Sequence, residues 1–335
     1  MDNQIKQRTI KIYDEEEYSI LKSYCNILTE TIETDIKNKK KEHISLYENQ
    51  IELGKSVIEI FENKSILYCL VYAFCQSGKT GGMLSIINEY VKTHVIPIEN
   101  IYILTGLNSR DWKFDTLNRM PDSIRRNIKH LFELKTDFFE ELSQKQNVLI
   151  LIDEVQIANK KKQTFFNGLN KYNIDMEFMF KNDFKIIQFS ATPDGSIYDL
   201  YNTMEEHREI KQMRAGDGYT SPVDLYNNGQ VKQFKDLTNI KNIYELKDTI
   251  LNYDTSKYHI IRIDKTDSKS RDRIVIENLK SIFNINEYLF NNDFLSKVKP
   301  DINELLKVQP KKHTFIFIKE LFRCSKTMFK KHIGV

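Results

Sequence analysis

Two short stretches carry residue types and spacings suited to chemistry on phosphates. The first is Ala73-Phe74-Cys75-Gln76-Ser77-Gly78-Lys79-Thr80. It follows an apolar run, Ile66 to Tyr72, that reads as a buried strand, and it precedes a helical pattern that begins at Thr80. Strand, tight loop ending in Gly-Lys-Thr, then helix is the context of a phosphate-binding loop. In such a loop the backbone N–H groups of Gln76, Ser77, Gly78 and Lys79 cradle phosphate oxygens, and the helix N-terminus adds positive potential. Lys79 would reach the β- and γ-phosphates and the Thr80 hydroxyl would ligate Mg²⁺. The second stretch is Val148-Leu149-Ile150-Leu151-Ile152-Asp153-Glu154. Five β-prone apolar residues read as a parallel strand buried on both faces. The acidic pair then falls at its carboxyl end, where open α/β sheets bind ligands. Asp153 is expected to hold the metal, and Glu154 to orient and deprotonate an attacking water.

The elements that must position these residues follow from the apolar pattern. Ile101 to Leu104 and Lys185 to Phe189 read as further strands, Thr80 to Lys92 and Phe165 to Tyr172 as helices, and Leu131 to Leu134 as a short strand. Alternating strands and helices predict an α/β fold with a parallel sheet and helices on both faces. Upstream, Asp14 to Lys41 reads as a mostly polar helix whose apolar stripe of Leu21, Tyr24, Cys25 and Leu28 is narrow. Gln50 precedes the loop by 29 residues, and its amide can offer a donor and an acceptor to an adenine edge.

The bulk composition narrows the partners. The chain has 335 residues with 40% hydrophobic and 29% charged, which predicts a folded chain of one large or two smaller domains. A net charge of +3 means that any nucleic-acid site must come from local clustering. The best cluster is 108–130, where Arg110, Lys113, Arg119, Arg125, Arg126 and Lys129 interleave with Trp112 and Phe114; the alternative is one or two amphipathic helices with a charged outer face and Trp112 in the core, which is the preferred reading of Trp112. The four cysteines, at 25, 69, 75 and 324, have no metal-ligand spacing and read as reduced, buried thiols. Met1 to Lys11 is polar, and no apolar run approaches the length that spans a bilayer. The expectation is no membrane contact and a cytoplasmic site, or an intracellular site of replication or transcription, with proteins of those processes as possible partners.

Taken together, Ala73-x4-Gly78-Lys79-Thr80, Ile152-Asp153-Glu154-Val155-Gln156 and Ser190-Ala191-Thr192 resemble motifs I, II and III of superfamily 2 helicases and translocases, in that order. The resemblance implies a RecA-like ATP-binding lobe over 43–205, an N-terminal helical extension over 1–42 and a partial second RecA-like lobe over 206–335. It implies ATP and Mg²⁺ as cofactors and DNA or RNA as partner. Gln50, with Tyr47 upstream, resembles the adenine-reading glutamine of that family. Thr105-Gly106 is similar to motif Ia, which contacts the nucleic-acid strand. Ser190 and Thr192 would couple nucleotide state to nucleic-acid grip, with Gln156 as a partner. Gln156 stands where DEAD-box and DEAH-box proteins have Asp and His, and the Gln-Ser-Gly-Lys-Thr loop looks more like the helicase-like ATPases of large DNA viruses and mobile elements.

In the second half, Pro193 to Gly218 reads as the link out of the first lobe, with Ala215-Gly216-Asp217-Gly218 its most flexible point. Tyr258 to Ile263 and Thr314 to Ile318 read as strands and Arg271 to Phe283 as a helix, while 284–309 has no clear pattern. Leu321-Phe322-Arg323 lies where motif V would fall, making Arg323 a nucleic-acid candidate beside the reading of a basic helix face. No Gln/Arg-rich motif VI follows, so the second lobe is expected to be incomplete, as in a fragment of a longer protein or a degenerate paralogue. The alternatives are a P-loop ATPase of another class, or a nucleic-acid-binding scaffold with a slow or inactive ATP site.

Overall fold

The five apolar runs set the architecture, because a strand buried on both faces needs helices above and below it. The structure, a computed structural model, describes residues 15–39, 46–94, 96–105, 110–130, 133–153, 164–191, 206–231, 233, 235–263, 270–295, 301–319 and 329–335. They divide into two units, 1–221 and 222–335.

In the first unit the chain runs α1 (Glu15–Lys39), α2 (Glu48–Glu62), β1 (Tyr68–Tyr72), α3 (Lys79–Thr93), β2 (Ile101–Thr105), α4 (Arg110–Arg119) and β3 (Ile128–His130). It continues through α5 (Thr136–Leu142), β4 (Val148–Asp153), α6 (Thr164–Lys171), α7 (Met176–Lys181), β5 (Phe184–Ser190) and β6 (Arg208–Gln212). The strands form one sheet in the order β3-β2-β4-β5-β1-β6, and all pairings are parallel. Successive strand residues face opposite ways. Cys69, Val71, Ile101, Ile103, Leu149, Leu151, Ile187 and Phe189 pack under α1, α2 and α3. Tyr68, Leu70, Leu104, Ile150, Ile152 and Ile186 pack against α5, α6 and α7. Helices therefore cover both faces, as the sequence pattern predicts.

Two domain expectations change. The helix expected as an extension is part of the first unit, since Cys25, Leu28 and Ile32 are buried in the core that holds α2 and α3. The boundary expected at 205 lies at 221. The reason is β6, which pairs with β1 from Tyr68↔Arg208 to Tyr72↔Gln212 and so belongs to the first sheet. The short strand forms at Ile128–His130, before the expected 131–134; residues 131 and 132 lie outside the described residues.

The cysteines also differ from expectation. Cys25 and Cys69 are buried, and burial pushes the Cys69 thiol up to about 12, but Cys75 is exposed on the loop after β1. Cys324 lies outside the described residues. Among the described residues no helix is long and apolar enough to cross a membrane.

The second unit contains α8 (Pro222–Asn227), α9 (Ile240–Leu251), β7 (Tyr258–Arg262), α10 (Arg271–Ile282), β8 (Leu289–Asn291), α11 (Ile302–Leu306) and β9 (Thr314–Ile318). Its sheet is parallel in the order β7-β9-β8. The stretch 284–309, without a pattern in the sequence, supplies the edge strand β8 and the short helix α11.

A pair of imidazoles joins the two neighbouring strands. His259 Nε2 lies 3.0 Å from His313 Nδ1, the Val335 N–H donates to His259 Nδ1 at 3.3 Å, and the Lys257 N–H donates to His313 Nδ1 at 3.3 Å. Both Nδ1 atoms accept, so His259 carries its proton on Nε2 and donates it to His313. Adding a proton to either ring removes an acceptor that a backbone N–H needs. Burial first, and the facing His313 second, hold His259 down at about 4. The unfolded chain, with an ordinary histidine, binds the proton near 6.5. The stabilisation from a neutral His259 is thus complete above that pH and declines as pH falls towards 4, by up to about 3 kcal/mol. Hydrogen exchange at β7 and β9 should show the loss between pH 7 and 4.5 once intrinsic rates are corrected. An unchanged protection free energy there would contradict it.

Candidate phosphate site

The loop between β1 and α3 is shaped by three local features. The Ser77 N–H and hydroxyl both donate to the Phe74 carbonyl, at 3.2 and 2.8 Å, which closes a tight turn. Gln76 then adopts φ +60 and Gly78 φ +94. Asn147, Asn173 and Asp183 are the other non-glycine residues with positive φ among the described residues, and Asn and Asp tolerate that region best. Gln76 does not share that tolerance, so its strain, of order 1 kcal/mol, is confined to the loop. Gly78 is the N-cap of α3 and adds no side-chain cap. A helix start capped by glycine carries the positive end of the helix dipole, which suits an anion.

Lys79 and Thr80 open α3 and are half-buried, while Phe74, Cys75 and Gln76 are exposed and Ser77 is buried. Lys79, Thr80 and the turn at 76–78 thus stand together as the sequence predicts. The contribution of Ser77 is to shape the turn, since its hydroxyl is committed to Phe74.

Asp153 ends β4 and is 5% exposed. Strand alternation places it after Leu149 and Leu151, on the sheet face that α3 covers. One strand, β5, separates β4 from β1, so the acidic strand end and the loop are two strand spacings apart, roughly 9.5 Å. A gap of that size is wide enough for a phosphate group and a hard cation. The donor set fits both groups: backbone N–H and lysine for the phosphates, carboxylate and hydroxyl for Mg²⁺. Glu154 and Gln156 lie outside the described residues.

Gln50 is at the site and braces it. It is buried at 3% exposure, its Oε1 accepts from the Tyr47 N–H at 2.9 Å, and its Nε2 donates to the Gly78 carbonyl at 3.0 Å. The amide braces the start of α2 against the loop. One N–H and one lone pair are left for any base edge.

Thr105 is corrected. It was expected to touch nucleic acid, yet it is fully buried at the end of β2, in register beside Asp153. Its neighbours on that row are His130 and Asp153, so it lines the acidic strand end and has no surface to offer. Gly106, Thr192 and Arg323 lie outside the described residues. Ser190 ends β5, fully buried, and its carbonyl accepts from the Ala73 N–H at 3.0 Å, which links it to the loop through the backbone. In the basic segment, Lys113 pairs with Glu133 at 2.5 Å and Arg125 with Asp122 at 2.9 Å, so part of that charge is neutralised locally.

Sequence reasoning missed the residues that close over the loop from far along the chain. Met213, Arg214 and Tyr219 lie more than 130 residues after it, and only the Gly-Asp-Gly-Tyr turn pattern at 216–219 signals a shaped segment.

No family model matches the chain. It is 26% identical over 335 residues to uncharacterized protein L594 of Acanthamoeba polyphaga mimivirus, an alignment that covers 92% of this chain and 78% of that protein. Among solved structures it resembles Bacteroides sp. Pif1 in complex with ADP-AlF4, at 16% identity and a TM-score of 0.35 over 63% of this chain and 53% of that one. It also resembles Mss116p bound to ssRNA and AMP-PNP, at 16% identity and a TM-score of 0.31 over 78% of this chain and 52% of that one. The chain spans about half the length of these solved structures.

Proposed function

We propose that this chain is an ATP-binding protein of the helicase and translocase type, with Mg²⁺-dependent hydrolysis of ATP coupled to DNA or RNA. One observation carries the nucleotide half. A glycine-opened helix start bearing Lys79 and Thr80 shares a sheet face and a sheet end with the buried carboxylate of Asp153. Neither a core nor a surface turn requires that pairing, and it is what a metal-bound phosphate requires.

In this reading the loop N–H groups and Lys79 hold and orient the phosphate chain. Thr80 and Asp153 hold the metal, which when bound neutralises charge on the phosphates. Glu154, next in the chain, takes the proton from the attacking water. The buried flank of Asp153, made by Thr105, keeps bulk water from one side of it. The nucleic-acid half is supported by the order of the three motifs, and the parallel arrangement of β7, β9 and β8 accords with a second RecA-like lobe.

The test is ATP hydrolysis by the full chain, with and without single- and double-stranded DNA and RNA, using Glu154→Gln as the blank. Stimulation by one nucleic acid of at least about tenfold is expected and names the substrate. Turnover with no response to any nucleic acid would replace the helicase reading with that of a P-loop ATPase of another class.

A further inference from the structure

Residues 213–219 cross the phosphate loop after leaving β6. The Met213 N–H donates to the Tyr72 carbonyl at 2.9 Å, which carries the β1–β6 ladder one step past the strand end. Asn49 Nδ2, on α2 next to the bracing Gln50, donates to the Arg214 carbonyl at 2.8 Å. The buried Met213 side chain reaches the start of α3: a Cβ built on Gly82 would stand 3.3 Å from its Sδ.

The segment then turns. The Tyr219 N–H donates to the Gly216 carbonyl at 3.1 Å, and Gly218, third in that turn, has φ +77, which a side chain would resist. The stretch that the sequence marks as most flexible is thus a hydrogen-bonded turn. Its product is the placement of Tyr219. The Tyr219 hydroxyl donates to the Cys75 carbonyl at 2.9 Å, and its ring stacks on Phe74, with centroids 5.9 Å apart and planes 14° apart.

We propose that Tyr219 is a positioning residue of the phosphate site. It clamps the outer limb of the loop, Phe74–Cys75, and ties that limb to the segment that leads into the second unit at Pro222. The proposal rests on the nucleotide reading above. The loop is open on this side. Phe74, Cys75 and Gln76 are exposed, and Gln76 holds a strained backbone angle that needs outside support. Gln50 braces the loop at Gly78, and Tyr219 braces it at Cys75. With both ends held, the N–H groups between them keep their inward aim before any ligand arrives. A loop preorganised in this way binds phosphate without first bearing an ordering cost.

The test uses the full chain and its Tyr219→Phe, Tyr219→Ala and Lys79→Ala variants. Two readouts are taken: amide hydrogen exchange of the 73–80 segment without nucleotide, and affinity for the fluorescent probe Mg·MANT-ATP. Tyr219→Phe keeps the stacked ring and removes the hydroxyl. It should raise exchange at 73–80 and weaken the probe about three- to tenfold, the scale of one hydrogen bond. Its melting temperature should stay within about 2 °C of the parent. Tyr219→Ala removes both contacts and should weaken the probe by more than about tenfold, so that phenylalanine gives partial rescue. Unchanged exchange and affinity in both variants would overturn the proposal. So would an affinity loss that only tracks a fall in melting temperature, because that is the mark of a merely structural residue. If the parent shows no Lys79-dependent binding while exchange still rises in the variants, the nucleotide reading fails, the positioning role fails with it, and only a structural clamp remains.

Discussion

Replacing Lys79 with alanine should weaken Mg·ATP binding by about 100-fold. Lys79 is the first residue of α3 and follows the left-handed Gly78, so it stands at the positive end of the helix. A charge-assisted contact to a phosphate contributes about 1.5–3 kcal/mol, and each 1.4 kcal/mol is a factor of ten in affinity. The fold should survive, because Lys79 is half-buried at a helix start and alanine is a good helix former. A titration with MANT-ATP, alongside a thermal melt, separates the two effects. Unaltered affinity in Lys79→Ala would mean that the loop at 73–80 is not a phosphate site.

The second large effect is expected from Glu154→Gln. The carboxylate that ends β4, Asp153, is buried beside Thr105 and suits metal. The next residue is then the base candidate, and glutamine keeps its size while losing its proton affinity. Turnover should fall by about 10²–10⁴, the usual contribution of a general base, while the affinity for Mg·ATP stays within about threefold. Single-turnover hydrolysis with quantified binding reads both quantities. A variant that hydrolyses ATP at the parental rate would remove Glu154 from the mechanism. A variant that loses binding as well would make it a ligand-holding group.

Much of the first unit is legible because its strands are buried on both faces. Such strands have no polar alternation to blur them, and 101–104, 148–152 and 185–189 each fall within an observed strand. The strand β6 is not legible for the opposite reason. Arg-Glu-Ile-Lys-Gln is an edge strand in which only Ile210 packs on a core, and charged edge strands look like linkers. Residues 208–212 therefore read as part of the way out of the lobe when they belong to its sheet.

The same distinction applies to the site. Glycine, lysine, threonine and the acidic pair are local signals: a turn that needs positive φ, a helix start and a strand end can each be read within a few residues. What Gln50 and Thr105 do depends on which neighbours fold against them. Gln50 spends half of its amide on Tyr47 and Gly78, and Thr105 is covered beside Asp153, contacts that no local pattern in the sequence announces.

The amino-acid sequence by itself determined the parallel α/β sheet, the strand–turn–helix at 73–80 and the acidic end of β4, since each follows from hydrophobic period and backbone chemistry over short spans. Only the tertiary structure decided that β6 closes the sheet beside β1, that a turn at 216–219 delivers Tyr219 onto Cys75, and that His259 shares its proton with His313. Those contacts join residues tens to more than a hundred positions apart, and their free energy comes from packing and hydrogen bonds that exist only once the chain has closed on itself.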